Sequence, residues 1–258
     1  MLRERAYNLL DDARQLSMVL RQSAKSSFAT VRMGITESVV QLLATVLASE
    51  IKSVAEQSSF RMGSAQYHVE AFFRRRLDFL ISVDPLEDTE GLERYLIADE
   101  PFVTIVPPDT PETLTTMAQI AQSGLPLIRY SQDSYTGIAL ERQLRRLVIR
   151  PEGSQDFDTS RAVIELVAQG AGWTIATPLC LVGMGAAVGS VKVMAQPVGI
   201  RRRLNLISRT GEFGDLPRIL AQRCIDVMRD DVHPGILRHA PWITLGSSSG
   251  ANFHIPES

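Results

Sequence analysis

The chain has 258 residues, 45% hydrophobic and 22% charged, with a net charge of -2. That length can bury a core in one domain of two lobes or in two small domains, and the composition indicates neither disorder nor a fibre. The charge provides no broad electrostatic footprint for nucleic acid, although a local basic patch is compatible with it.

In chain order, the first feature is a helical pattern. Leu2, Ala6, Leu9, Ala13, Leu16 and Leu20 recur alternately four and three residues apart, which is an a/d seam suited to a partner helix. A helix packed on its own domain is the alternative. Arg3, Glu4 and Arg5 stand where a signal peptide would carry its apolar region. No apolar stretch approaches the roughly 20 residues that span a bilayer.

From Phe28 onward short apolar runs alternate with helical patterns, the signature of an α/β protein with a mainly parallel sheet. Thr30 to Ile35 reads as a strand, Val39 to Val54 as a helix with Val40, Leu43, Leu47 and Ile51 on one face, and Phe60 to Met62 as a second strand. A helix follows around Tyr67 to Arg75, then the continuous apolar strand Leu77 to Val83, expected at the sheet centre. "YLIADEPFVTIVPPDTPETL" reads as two strands closed by Pro107 and Pro108, then a helix with Thr110 as N-cap and Pro111 at its first position.

A second series repeats this logic: strand Leu125 to Arg129, polar loop Tyr130 to Tyr135, helix Thr136 to Leu147, a strand near Phe157, helix Arg161 to Gln169 and strand Trp173 to Thr177. "VKVMAQPVGIRRRLNLISRTG" supplies a strand, a connector and another strand. Leu216 to Met228 is the last helix, and the Gly- and Ser-rich segment after Trp242 is expected to fray. Cys180 and Cys224 lie far apart in apolar runs, as buried reduced thiols of a reducing compartment do. A cytoplasmic protein with no membrane partner is therefore expected.

Several of these segments together resemble the effector-binding region of LysR-type transcriptional regulators. They are the helix at 2 to 25, "VRMGITESV", "VEAFFRRRLDFLIS", "ADEPFVTIVPPD", "LPLIRYSQDS" and "AVIELVAQGAGWTIATP", and the similarity runs to about residue 230. The last is the most specific, with Gly170 able to end a helix in the left-handed conformation and Gly172 releasing the next strand. One departure is Arg75, where the family usually has Gly before the "LD" dipeptide.

The resemblance implies an α/β fold of the type 2 periplasmic-binding-protein kind. Two Rossmann-like lobes are joined by a hinge of two crossover strands, near Ile105 to Pro108 and Pro197 to Arg203, and a linker helix precedes them. The chain then divides into a linker and dimerisation helix (1-27), lobe I (28-108 and 204-235), lobe II (109-203) and a C-terminal tail (236-258). A homodimer or homotetramer is implied as well. The family's N-terminal winged helix-turn-helix is missing from this sequence, so DNA is expected as a partner only through that missing part.

In such a fold a small-molecule effector sits between the lobes. Strand ends meet helix N-termini there, and their free N–H groups and positive dipole ends attract polar groups. The candidate effector-binding residues are Thr36, Glu37 and Ser38 after the first strand, Ser64 and Gln66 after the second, Arg129, Ser131, Gln132, Ser134, Tyr135 and Thr136 around "YSQDSYT", and Thr159. Helix capping competes with this reading at Thr36 and Ser38, an ion pair competes with it at Arg129, and Asp158 is expected as the N-cap beside Thr159. Glu37 disfavours a strongly anionic ligand unless it points outward.

Neither an enzyme nor a cofactor is expected. The four histidines lack metal-ligand spacing, and the glycines of "GMGAAVGS" miss G-x-G-x-x-G by one residue. The triplets Arg74 to Arg76 and Arg201 to Arg203 read as solvated turns. The leading reading is the sensing and oligomerising part of a transcription regulator; a stand-alone solute-binding protein of the same fold is the alternative.

Overall fold

The structure is a computed structural model that describes residues 28–151, 154–185, 191–246 and 250–256. The heptad helix expected over residues 2 to 25 lies outside the described residues, as does part of the glycine-rich loop at 183–190.

β1 (Phe28–Thr36) pairs in parallel with β2 (Ala55–Gly63) on one side and β3 (Phe79–Ser82) on the other. Val31, Met33 and Ile35 are fully buried in alternate positions, as a strand with one core face requires. α1 (Glu37–Lys52) connects β1 to β2 and buries Val39, Leu43, Leu47 and Ile51, one residue per turn, with Val39 in place of the expected Val40, which is half-buried. α2 (Ala65–Phe73) leads towards β3, where Phe72, Leu77, Leu80 and Ile207 belong to a second, smaller apolar cluster.

β4 (Leu92–Val106) and β8 (Lys192–Arg209) are the spine of the molecule. They pair antiparallel from Leu92 opposite Arg209 to Val106 opposite Lys192, so each serves both lobes. The sequence analysis expects two strands in each of these segments. Register shifts between Leu96 and Ala98, Pro101 and Val103, and Val103 and Ile105 absorb the irregularity as bulges instead. A short strand, β7 (Thr174–Ala176), lies beside β4, and the sheet order is β2-β1-β3-β8-β4-β7.

In the second lobe the short α3 (Met117–Ala121) begins at a capping box of Thr116 and Gln119. The helix start expected at Thr110 is a run of turns. Thr116 and Gln119 satisfy the helix's free N–H groups, whereas the Thr110 hydroxyl has no partner among the described residues. β5 (Leu127–Tyr130) pairs in parallel with β6 (Ser154–Phe157). α4 (Tyr135–Arg146) and α5 (Ser160–Ala168) follow these two strands.

Two glycine expectations resolve differently. Gly170 ends α5 at φ 80°, as expected, whereas Gly172 is required by close approach, since a Cβ there would overlap the Pro126 carbonyl oxygen. Arg75 keeps the left-handed turn of the family at φ 54° although it is not glycine. Its N–H donates to the Phe72 carbonyl, that of Arg76 to Ala71, and its guanidinium pairs with Glu212 at 2.8 Å. These contacts offset a strain of about 1 kcal/mol.

α6 (Pro178–Val182) leads from β7, and α7 (Leu216–Val227) runs through a π-helical turn (Met228–Val232) into α8 (His233–His239). The tail is not frayed where it is described. Phe253 is fully buried and stacks on His233, His254 exchanges backbone hydrogen bonds with Asp99, and Arg201 donates to the Gly250 and Asn252 carbonyls. One aromatic anchor and a strand-like bridge outweigh the flexible composition. Among the described residues no helix is long and apolar enough to cross a membrane, and both cysteines are buried and unpaired.

His68 of α2 is 1% exposed and packs against Gly34 and Gly63. Burial lowers its pKa below the usual 6.5, against the opposing pull of the Arg61 backbone. The folded state therefore binds this proton less readily than the unfolded chain, so the stability is present above pH 6.5 and is lost as pH falls below it. Urea unfolding at about pH 7.5 and 5.5 checks this: the midpoint of the natural protein drops on acidification, and that drop shrinks in His68→Gln.

Candidate functional site

The hinge holds a buried charged network that joins both lobes. The antiparallel register sets Glu100 of β4 opposite Arg202 of β8, and the two are 0% and 7% exposed. Arg202 Nε donates to Glu100 Oε1 at 2.7 Å, with Nη2 on the same oxygen. Its Nη1 reaches Ser38 Oγ in the first turn of α1 at 3.2 Å. The other carboxylate oxygen of Glu100 accepts the Leu179 N–H at the start of α6, at 2.9 Å. Burial raises the Glu100 pKa, with Arg202 and the Leu179 N–H opposing it. Burial also opposes the Arg202 charge, but the neighbouring carboxylate outweighs it and holds the guanidinium above its ordinary value.

Around this pair, the Tyr130 hydroxyl lies 3.8 Å from Cys180 Sγ, which is 3.4 Å from both Ser160 Oγ and Thr177 Oγ1. Burial raises the Tyr130 pKa well above its usual value, so the phenol is a neutral donor. Beside the pair, Arg201 Nε donates to Asp99 Oδ1 at 2.7 Å. The triplet at 201 to 203 is therefore strand and not a solvated turn: acidic residues on the facing strand draw Arg201 and Arg202 inward, while Arg203 stays exposed.

Thr36 occupies the N-cap position of α1 but makes no side-chain cap bond, and Ser38 is engaged by Arg202. Glu37 crosses to the other lobe, where its Oε2 accepts the Ser160 N–H of α5 at 3.1 Å. Thr159 is the N-cap of α5, its Oγ1 accepting from the Ala162 N–H, and Asp158 is not. These residues are thus brought together at the lobe junction.

In the "YSQDSYT" loop, Ser134 caps α4 by accepting the Gly137 N–H at 2.9 Å and donates to the Ser131 carbonyl at 2.7 Å. A Cβ on Gly137 would overlap that carbonyl, so glycine is needed for the loop to close on its helix. Gln132 is exposed and Thr136 half-buried. Tyr135 is 48% exposed; burial raises its pKa, and Asp84 and Glu87 from the loop after β3 add to the rise. Those two residues belong to the facing lobe. Ser64 caps α2 by accepting the Tyr67 N–H, and Gln66 is exposed on the same helix.

Arg129 lines a small cavity beneath α4 together with Gln132, Tyr130 and Gly137. Its guanidinium pairs with Glu141 of α4 at 3.2 Å and lines an outer cavity with Leu144, Arg145 and Val148, towards the far end of α4 from the loop. Alternation along β5 turns it away from the face that carries Tyr130 to the hinge. Sequence reasoning missed Glu100, Tyr130, Ser160, Cys180 and Arg202. The signal for two of them was present, since "DE" at 99–100 and "RRR" at 201–203 are complementary charges on strands that both lead through the hinge.

The LysR substrate binding domain family matches residues 25–233. The chain belongs to that family. No curated protein matches the sequence. Solved structures with the same fold include the Corynebacterium glutamicum OxyR C206 mutant, at 15% identity and TM-score 0.67, covering 92% of this chain and 76% of that one. The Synechocystis PCC6803 CcmR regulatory domain in complex with 2-PG has 17% identity and TM-score 0.63, covering 78% and 98%. The regulatory domain of HypT from Salmonella typhimurium, bromide ion-bound, has 13% identity and TM-score 0.62, covering 77% and 94%. At these identities the likeness shows the type 2 periplasmic-binding-protein-like fold alone.

Removing Arg202 leaves Glu100 buried without its counter-charge. Arg202→Met is expected to lower stability by about 3–5 kcal/mol, and adding Glu100→Leu to recover most of it. Denaturant titration of the two variants checks this; equal losses in both would show that the pair does not hold the hinge.

Proposed function

We propose that this chain is the effector-sensing and oligomerising part of a cytoplasmic LysR-type transcriptional regulator, with a small molecule bound between its lobes. The observation that carries this reading is the meeting of the α1 and α5 N-termini at one lobe junction, beside a hinge of two long bulged strands. Thr36, Ser38, Ser64, Gln66, Ser131, Gln132, Ser134, Tyr135, Thr136 and Thr159 are proposed to contact the effector, with Glu37 at the centre of the junction. Arg129 is left out of this set, because its guanidinium is already paired with Glu141.

Effector binding would favour one lobe arrangement over another. Dimers or tetramers would pass that change to DNA-binding winged helix-turn-helix domains. The 2-PG named with the CcmR domain and the bromide ion named with that of HypT support a small ligand here. No catalytic role is proposed.

Measured mass in solution and a thermal-shift screen of small metabolites test the reading together. A dimer or tetramer whose melting temperature at least one metabolite raises is expected. A strict monomer that no metabolite stabilises would contradict it. Gly137→Ala should fold yet lose the response to that metabolite, because the crowded Ser131 carbonyl displaces the 131–136 loop.

A further inference from the structure

A cavity of about 440 Å³ opens on the outer side of lobe II, between β5 and the last turns of α4. Arg129 of β5, Arg145 of α4 and Arg150 beyond it all line this space. Glu141 is shared between two of them, meeting Arg129 at 3.2 Å through Oε2 and Arg145 at 3.0 Å through Oε1. Among the described lining residues, then, one carboxylate faces three guanidinium groups, and the cavity stays positive. Arg129 Nε is buried and has no acceptor among the described residues, a state that costs free energy unless something fills it.

The rest of the wall is aliphatic, from Leu144, Val148 and Ile149. A second cavity of about 400 Å³ lies beside it, sharing Val148, Ile149 and Arg150 as lining and reaching Ala118 and Ala121 of α3. Val148 stands between the two spaces at φ 57° and is 77% exposed. It holds the position after a helix end that glycine ordinarily takes, with the Ile149 N–H returning to the Leu144 carbonyl. A β-branched residue there is strained, and strain of this kind is characteristic of sites where a side chain is needed.

We propose that these two neighbouring cavities together form a second ligand site, for a small organic anion with an apolar body. The carboxylate lies against Arg129 and Arg145, with Arg150 at the mouth, and the body runs along Val148 and Ile149 towards α3. The site lies outside the lobe junction, so the inference does not depend on the cleft reading above.

Octanoate and inorganic phosphate are the probes, followed by calorimetry on the whole chain. The natural protein is expected to bind octanoate saturably and more tightly than phosphate. Arg129→Met, which leaves Glu141 paired with Arg145, should weaken octanoate at least ~10-fold, the scale of one charge-assisted hydrogen bond. Val148→Gly should raise the melting temperature by relieving the positive φ and yet weaken octanoate, a split that a merely structural residue does not show. Arg146→Ala removes the same charge from an exposed residue outside the cavity lining, and should leave the affinity unchanged.

Absence of saturable octanoate binding, or equal affinity in Arg129→Met and the natural protein, would overturn the proposal. So would phosphate binding as tightly as octanoate, or Arg146→Ala losing as much as Arg129→Met, since either result would reduce the site to diffuse positive charge.

Discussion

The arrangement of the two lobes depends on the buried pair of Glu100 and Arg202. A charge inside a protein is tolerated when it is paired and its remaining hydrogen-bonding capacity is met. Here the remaining capacity is met by Ser38 from α1 and Leu179 from α6, so satisfying the pair also positions one helix start on either side of it. Buried pairs of this kind are often no more stabilising than apolar residues of the same volume. Their effect here is geometric: β4 and β8 are fixed in the register that places both lobes.

Around this fixed point the polar groups are shared unevenly. The helix starts of α2, α4 and α5 are capped by their own Ser64, Ser134 and Thr159, whereas α1 has no side-chain cap and its Glu37 serves α5. The lobes are therefore joined by a deep contact at the hinge and a shallower one at the junction. The deep one is shielded from water, whereas Glu37 is half-buried and its bond to Ser160 is partly open to solvent.

Much of the fold was legible because its signals are local. Alternating burial in β1, one buried residue per turn in α1 and glycine at the end of α5 follow from periodicity and backbone freedom. The two long strands were not legible as single elements, since only the partner strand shows that bulges keep the pairing continuous through the irregular stretches. The tail follows the same rule: Gly and Ser predict mobility, but Phe253 finds a pocket that only the folded chain creates. At the site, Ser64, Ser134 and Thr159 stood out as polar residues at helix starts, but their capping roles did not, the cap of α5 being expected at Asp158; the Glu100 and Arg202 pair needed the strand register to emerge. The side of β5 that Arg129 occupies was hidden too, because strand position alone does not say which face meets the hinge.

A small molecule acting at the junction of the lobes is tested most directly by amide hydrogen exchange, followed with and without a metabolite that stabilises the protein. Altered protection at residues 36 to 38, 131 to 136 and 159 to 160 is the predicted result. Changes confined to the outer cavity beside Arg145 and Val148, with those three segments unaffected, would contradict it.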